Sequence, residues 1–455
     1  MVKFYFALWA AKAVNAAVKL VASNRGSDIS GRIALRIDPL FISHVKGTDP
    51  SRVLIITGTN GKSTTNNLIN HILTDNGIKV VSNLEGANLI TGVCTALVKA
   101  AGMNGRVNAD CFIFETDERY VAPVRKQLPA KNILVTNLQK DQVQRNGDPD
   151  FIIRKLSAGM TDGKIRFFLN NEEPRSLSLG KFADSIVTYG VKKHGEAFVK
   201  DDSYVTMPCP VCHHKLLFDY YNTDGIGSFR CSHCGYSSAE HADYEIDGVD
   251  FENRTFSMNG NEFAMPYNTP YMLYNYAAAV AVAHEFAGLD EKSASASFSS
   301  FKNIGGRFEI IHYKGKIIKY MRIKQENPET LQTSLNIIAN DPERKMVAMG
   351  LCRLVDMIPH YANTFYAYDC DWSGVVKSNV EKFFIFSDRV SYDTANRLIY
   401  EGADPDIISV ADNEDIIGIF KEIESAETDN IYLVTWLHTY EAMEKYLKQE
   451  GAVNE

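Results

Sequence analysis

The segment that most restricts this chain is residues 53–73. A continuous apolar run, Val53-Leu54-Ile55-Ile56-Thr57, enters Gly58-Thr59-Asn60-Gly61-Lys62-Ser63-Thr64 and leaves in a stretch that turns from polar to apolar at helical spacing. An apolar run without polar alternation is a strand buried on both faces, and a strand joined to a helix by a glycine-rich turn belongs to a parallel, helix-covered sheet. Such a turn aims backbone N–H groups and a helix N-terminus at an anion, with Lys62 placed for terminal phosphates and the Ser63 hydroxyl for Mg²⁺. Position 56 is Ile, so the spacing is the compressed G-x-x-G-K-S rather than the longer form with a glycine five residues earlier. The strand, loop and helix together predict an ATP site.

More strands are expected at Lys79-Val80-Val81, Cys111-Phe112-Ile113-Phe114 and Asn132-Ile133-Leu134-Val135-Thr136, with helical spacing between them. Beyond residue 311, four further apolar runs (316–323, 345–349, 383–386 and 431–434) imply a second, smaller doubly wound domain. The expected organisation is an α/β chain in three parts: a helical lead-in over 1–45, a P-loop central domain over 46–310, and a Rossmann-like C-terminal domain over 311–455. A total of 455 residues accommodates that plan.

Nucleotide phosphates bridged by a metal need a carboxylate. Glu115 ends an apolar run, so it is expected at the carboxyl edge of a strand, where open α/β sheets bind ligands, and it is the first candidate for Mg²⁺. Asp117 and Glu118 follow in the same loop and are expected to be solvated charges. Asn137 and Asp141, in the segment after the next strand, are candidates at the same edge, against ordinary helix capping.

Cys209-x-x-Cys212 and Cys231-x-x-Cys234, separated by 18 residues, have zinc-ribbon spacing within an insertion at about 205–240. Four thiolates close a tetrahedral site, so the zinc is expected to be structural, and His213, His214 and His233 to be bystanders. Cys94, Cys111, Cys352 and Cys370 are expected to pack as small apolar groups. The formal charge of −8 offers no support for a nucleic-acid partner. Residues 3–23 are largely apolar but carry Lys12 mid-span, which at about 2.5–3.5 kcal/mol on insertion scales opposes a membrane-crossing helix. The first expectation there is an Ala-rich helix packed on the body; the second is a helix resting Phe4, Phe6, Leu8 and Trp9 on a membrane surface.

With these residues in place the chain resembles the Mur ligases, ATP-dependent amide-forming enzymes of cell-wall synthesis. The resemblance runs through GTNGKST at 58–64, Glu115, TNLQKDQ at 136–142, YNYAAA at 274–279 and GGR at 305–307. Within that family the opening GRIALRIDP at 31–39, the four-cysteine insertion, ENP at 326–328 and TYEAM at 439–443 are similar to the MurT-type subunits of lipid II isoglutaminyl synthases. The resemblance implies that ATP converts the α-carboxylate of D-glutamate in a lipid II stem peptide to an acyl phosphate, which ammonia then amidates. It implies a GatD-like class I glutaminase as heterodimer partner and ammonia source, a cytoplasmic location at the inner face of the membrane, an adenine contact for Asn275 and a nucleotide contact for Arg307. A free-standing Mur-type ligase that adds an amino acid to a cell-wall peptide is the alternative. Two departures bear on it. Asn363 stands where the resemblance implies an Asp completing the partner's glutaminase triad, with Asp356 as a substitute upstream. Lys324-Gln325-Glu326-Asn327-Pro328 replaces a lysine directly before Asn-Pro.

Overall fold

A computed structural model describes residues 2–21, 28–84, 87–139, 149–160, 164–199, 207–223, 225–301, 308–323, 328–351, 365–387, 390–411 and 413–454. The chain divides into two compact units.

The first unit holds strands β1 (Val53–Thr57), β2 (Val80–Ser82), β3 (Cys111–Glu115), β4 (Asn132–Val135), β5 (Arg166–Asn170) and β6 (Ser185–Val191). A two-stranded antiparallel ribbon follows, β7 (Leu216–Thr223) with β8 (Ile226–Cys231), and then β9 (Tyr244–Asp250), β10 (Thr255–Met258) and β11 (Asn261–Ala264). Nine of these strands form one sheet in the order β11-β10-β9-β6-β5-β4-β1-β3-β2, parallel from β2 to β9 and antiparallel beyond. All five residues of β1 are buried. Leu54 and Ile56 join the core on one face, under the helices Lys62–Asp75 and Pro270–Glu285; Val53 and Ile55 join the core on the other, under the helix Ile90–Ala100. This two-sided burial is why the run has no polar alternation. The expected strands coincide with β1 to β4. The antiparallel extension β9–β11 had no comparable signal, because alternating strands of four to seven residues are short against the turns that join them.

The N-terminal helix, Val2–Val21, packs Phe4, Ala7, Leu8 and Ala11 into the second of these cores, so Phe4 and Leu8 are unavailable to a membrane, while Phe6 and Trp9 point outward. Among the described residues no helix is long and apolar enough to cross a membrane.

The second unit has strands β12 (Phe308–Tyr313), β13 (Lys316–Arg322), β14 (Lys345–Gly350), β15 (Val380–Phe386), β16 (Ile408–Ala411), β17 (Asn430–Thr435) and β18 (Val453–Asn454). They pair in the order β16-β15-β14-β17-β13-β12-β18, parallel through β13. Apolar cores cover both faces, one around Trp372 and Leu335 and the other around Phe420 and Met443, as expected for a doubly wound sheet. At the amino edge of this sheet, Asp341 accepts hydrogen bonds from Lys319, Asn430 and Tyr432 at 2.7–3.0 Å. Burial alone would raise its pKa, but these donors hold it far below the usual carboxylate range.

Candidate functional site

The loop after β1 is shaped by glycine. Gly58 and Gly61 have φ of 122° and 83°, values that only glycine adopts freely. A Cβ on Gly58 would lie 2.3 Å from Thr136 Oγ1, and one on Gly61 2.4 Å from Asn275 Oδ1. The segment after β4 holds the loop from beside it. Thr59 N donates to Asn137 O at 2.8 Å, Asn60 N donates to Asn137 Oδ1 at 2.9 Å, Asn137 Nδ2 donates back to Asn60 O at 3.0 Å, and Asn60 Nδ2 donates to Gln139 Oε1 at 2.8 Å. Asn137 is therefore a brace of the phosphate loop. Asn275, on the helix Pro270–Glu285, is buried behind it, accepting from Thr65 Oγ1 at 3.1 Å.

Lys62 opens the helix Lys62–Asp75 and is nearly buried. Its ammonium donates to the carbonyls of Gly58 and Thr59 and lies 3.6 Å from Glu118 Oε1. Ser63 is exposed at the helix start, with Thr64 half-buried beside it. Glu115 is buried at the carboxyl end of β3, its backbone clamped by both ends of the Asn83 amide at 2.8 and 2.9 Å. Register puts Glu115 opposite Ile56, one residue before the loop-entering Thr57.

Asp117 and Glu118 are not solvated charges. Glu118 is buried against Lys62, and Asp117 takes Arg119 in a bidentate pair at 3.0 Å. Burial pushes the Asp117 pKa up, yet the Arg119 guanidinium, helped by Lys62, brings it below its ordinary value. The cause is the turn 116–120: Thr116 N is tied to Ile56 O and Asp117 N to Asn88 O, which folds the loop back over the lysine.

The donor set fits a polyphosphate. The two glycines let Thr136 and Asn275 close against the loop backbone, a helix N-terminus and Lys62 supply positive potential, and Thr57 Oγ1 is buried without a hydrogen-bond partner among the described residues. Glu115 and Ser63 are the groups at hand for Mg²⁺.

The four cysteines come together. Their sulfurs lie within 4.8 Å of one another, with Cys209–Cys234 at 3.8 Å and Cys212–Cys231 at 3.4 Å. Backbone N–H groups point at the sulfurs, Val211 to Cys209 at 3.4 Å and His233 to Cys231 at 3.4 Å. The residue after each knuckle, His213 and Gly235, is left-handed, with φ of 63° and 74°. The N–H groups of Cys234 and His233 bring the Cys231 thiol down to about 6, whereas burial pushes the Cys209 thiol up. The set fits tetrahedral Zn²⁺. His214 and His233 stack at 3.8 Å and with Cys212 form a second, more exposed cluster beside it. Of the other cysteines, Cys94, Cys111 and Cys370 are buried.

Two residues that the sequence did not flag link these centres. Glu173 accepts from Leu138 N at 3.0 Å, in the segment that braces the phosphate loop, and from Ser176 N at 2.7 Å. Glu172 is wholly buried, accepting from Val191 N at 3.0 Å, while its carbonyl takes Gly227 N of β8. Burial pushes Glu172 up to about 8. Tyr236, in the second knuckle, donates to Pro174 O at 2.7 Å. The only sequence signal was a strand-terminal Glu-Glu-Pro, in which Glu173 caps the helix Pro174–Leu177. Arg307, Asp356, Asn363, Asp141, Cys352 and Lys324–Asn327 lie outside the described residues.

Residues 56–209 match the Mur ligase middle domain family, and residues 325–443 the MurT ligase C-terminal family. The chain is 28% identical over 366 residues to the lipid II isoglutaminyl synthase (glutamine-hydrolyzing) subunit MurT of Staphylococcus aureus, covering 80% of this chain and 81% of that one. It is 24% identical to the corresponding Streptococcus pneumoniae subunit, covering 92% and 91%. In fold it is similar to a pseudomurein peptide ligase type C from Methanothermus fervidus, with a TM-score of 0.67 at 18% identity over 94% of this chain and 86% of that one. It is also similar to MurF from Acinetobacter baumannii, with a TM-score of 0.62 at 12% identity over 92% and 80%.

Proposed function

The chain belongs to the Mur ligase family and is MurT-like, and from that premise we propose that it is the ATP-dependent ligase subunit of an amidotransferase acting on lipid II. The acceptor is the α-carboxylate of D-glutamate in the stem peptide. The γ-phosphoryl of ATP passes to that carboxylate and ADP leaves; ammonia attacks the acyl carbon, phosphate departs, and the amide remains. A class I glutaminase subunit of the GatD type supplies the ammonia, and the lipid-linked substrate sets the work at the cytoplasmic membrane face.

In this reading Gly58, Gly61 and Thr64 cradle phosphates through backbone N–H groups, Thr59 and Asn60 hold the loop in shape because their own N–H groups are bonded to Asn137, and Lys62 spreads positive charge over the transferring group. Ser63 and Glu115 hold Mg²⁺, whose chemistry when bound is to neutralise charge developing on phosphate oxygens. Glu118 orients Lys62, Asn137 fixes the loop, and Asn275 backs it on the adenine side. Arg307 serves the nucleotide, and Asn363 or Asp356 the partner's catalytic histidine. The four cysteines hold a structural Zn²⁺.

The observation that supports this reading best is the buried Lys62 at a helix N-terminus with Glu118 at 3.6 Å and Glu115 at the neighbouring strand end. It fits a site built to bind a charged phosphoryl group rather than a plain structural turn. The test is turnover of purified chain with ATP, Mg²⁺ and lipid II, followed by mass spectrometry of the muropeptide. Ammonium alone should support amidation, and glutamine only with the glutaminase present. Incorporation of a free amino acid instead would establish the second reading, which the departures at Asn363 and at Gln325-Glu326 favour. No acceptor-dependent ADP release would defeat both.

A further inference from the structure

The N-terminal helix has two apolar faces, and only one is used by the fold. At 100° per residue, Phe4, Ala7, Leu8 and Ala11 share one side, and all four are fully buried. Val2, Phe6, Trp9, Ala13 and Ala16 fall on an arc of about 80° on the opposite side, and all five are exposed. Val2 is 85% exposed, Phe6 63% and Trp9 50%.

The outer stripe is rigidly presented. Trp9 Nε1 donates to Met103 O at 3.1 Å, so the indole has its polar atom satisfied while its ring stays in solvent. Met103 itself is 63% exposed and widens the patch. The loop 102–106 is seated on the helix, since a Cβ on Gly105 would lie 2.4 Å from Phe4. Charge frames the stripe: Lys3 lies on one flank and Lys12 on the other, Arg106 is exposed on the adjoining loop, and Lys46 donates to Tyr5 OH at 3.1 Å. The helix has three lysines and no acidic residue, in a chain whose net charge is −8.

From this arrangement we infer that the outer stripe of the N-terminal helix, with Met103, docks on an anionic lipid bilayer, the helix lying in the plane of the surface. An aromatic and aliphatic stripe inserts at the headgroup boundary, while lysines on both flanks extend their ammonium groups to anionic headgroups. The lysines select this occupant over a second copy of the chain. Stripe-to-stripe pairing would set lysine flank against lysine flank, with no acid on the helix to answer them. The inference does not rest on the ligase reading.

The experiment is sedimentation of the full chain with vesicles of phosphatidylcholine alone and with 30% phosphatidylglycerol, about equal in total lipid. Wild type should bind the anionic vesicles, and its tryptophan emission should be quenched by brominated lipid. Trp9→Phe should lose most of the quenching, because of the other two tryptophans Trp372 is fully buried and Trp436 is only partly exposed. Phe6→Ser/Trp9→Ser should bind at least tenfold more weakly, and Lys3→Glu/Lys12→Glu should lose about fivefold or more per lysine, each with unchanged circular dichroism and nucleotide affinity. Equal binding by the double serine variant, or no binding by wild type, overturns the inference. A solution dimer that the serine variant dissociates overturns it in favour of self-association.

Discussion

The phosphate loop and the cysteine module lie in one unit but are stabilised by opposite means. The loop stands on a strand buried on both faces, and its irregular backbone is closed by hydrogen bonds from Asn137 and Gln139. Among the described residues the module has a small core of Cys209, Leu216, Phe229 and Cys231 with a few partly buried neighbours. A loop so braced is organised before ligand arrives, so its substitutions should act on chemistry; a ribbon with so small a core is expected to need metal, so its substitutions should act on folding. Glu172 and Glu173 stand between them, one bonded toward β8 and the other toward Leu138.

The strongest way to break this contrast is Cys209→Ser. Zinc content measured by plasma mass spectrometry should fall to near zero, and amide protection in β7 and β8 should collapse, since structural zinc contributes on the order of 10 kcal/mol. A stable, metal-free variant would remove the structural role. Lys62→Ala should act chiefly on chemistry, costing about 10²- to 10³-fold in turnover, with a smaller drop in melting temperature from taking the cation away from the buried Glu118; full turnover would sink the phosphate-loop assignment. Gly61→Ala sharpens the point that the loop is a backbone device. It should cost roughly 2 kcal/mol in denaturant unfolding, with weaker nucleotide binding in calorimetry, because φ of 83° and contact with Asn275 both oppose a side chain.

Glu172 gives the bridge a pH signature. Its pKa is raised from an ordinary 4.5 to about 8, so the folded chain holds a proton that the unfolded chain has released. Stability from this group is therefore complete below about pH 4.5 and declines as pH rises toward 8. Glu172→Gln should flatten that slope in urea titrations across the window, and an unchanged slope would exclude Glu172 as its source. The smallest effect is expected from Tyr236→Phe, which removes one hydrogen bond to Pro174 O at about 1 kcal/mol. Module stability should drop slightly while turnover holds, and a large loss of turnover would mean that the two regions are more tightly coupled than their separate supports suggest.

What could be read locally was read from spacing. The run 53–64 carried its strand, loop and helix, and the two C-x-x-C knuckles their converging sulfurs, because each depends on neighbours within a few residues. Glu118 was misjudged because its burial depends on a turn tied to Ile56 and Asn88. Phe4 and Leu8 were grouped with Phe6 and Trp9 because a helix apolar on both sides does not declare which side the body covers. Glu172 and Glu173 drew no expectation, since nothing in Asn-Asn-Glu-Glu-Pro announces that β6 and β8 close over it.

The sequence by itself thus determined the kinds of chemistry available: a phosphate-binding backbone, a lysine at its helix start, a strand-end carboxylate and a thiolate set. Tertiary structure decided which charges lose their water and which apolar groups keep it. Desolvation and pKa are set by everything within a few ångströms, and in a parallel sheet those neighbours come from strands and loops tens to hundreds of residues away.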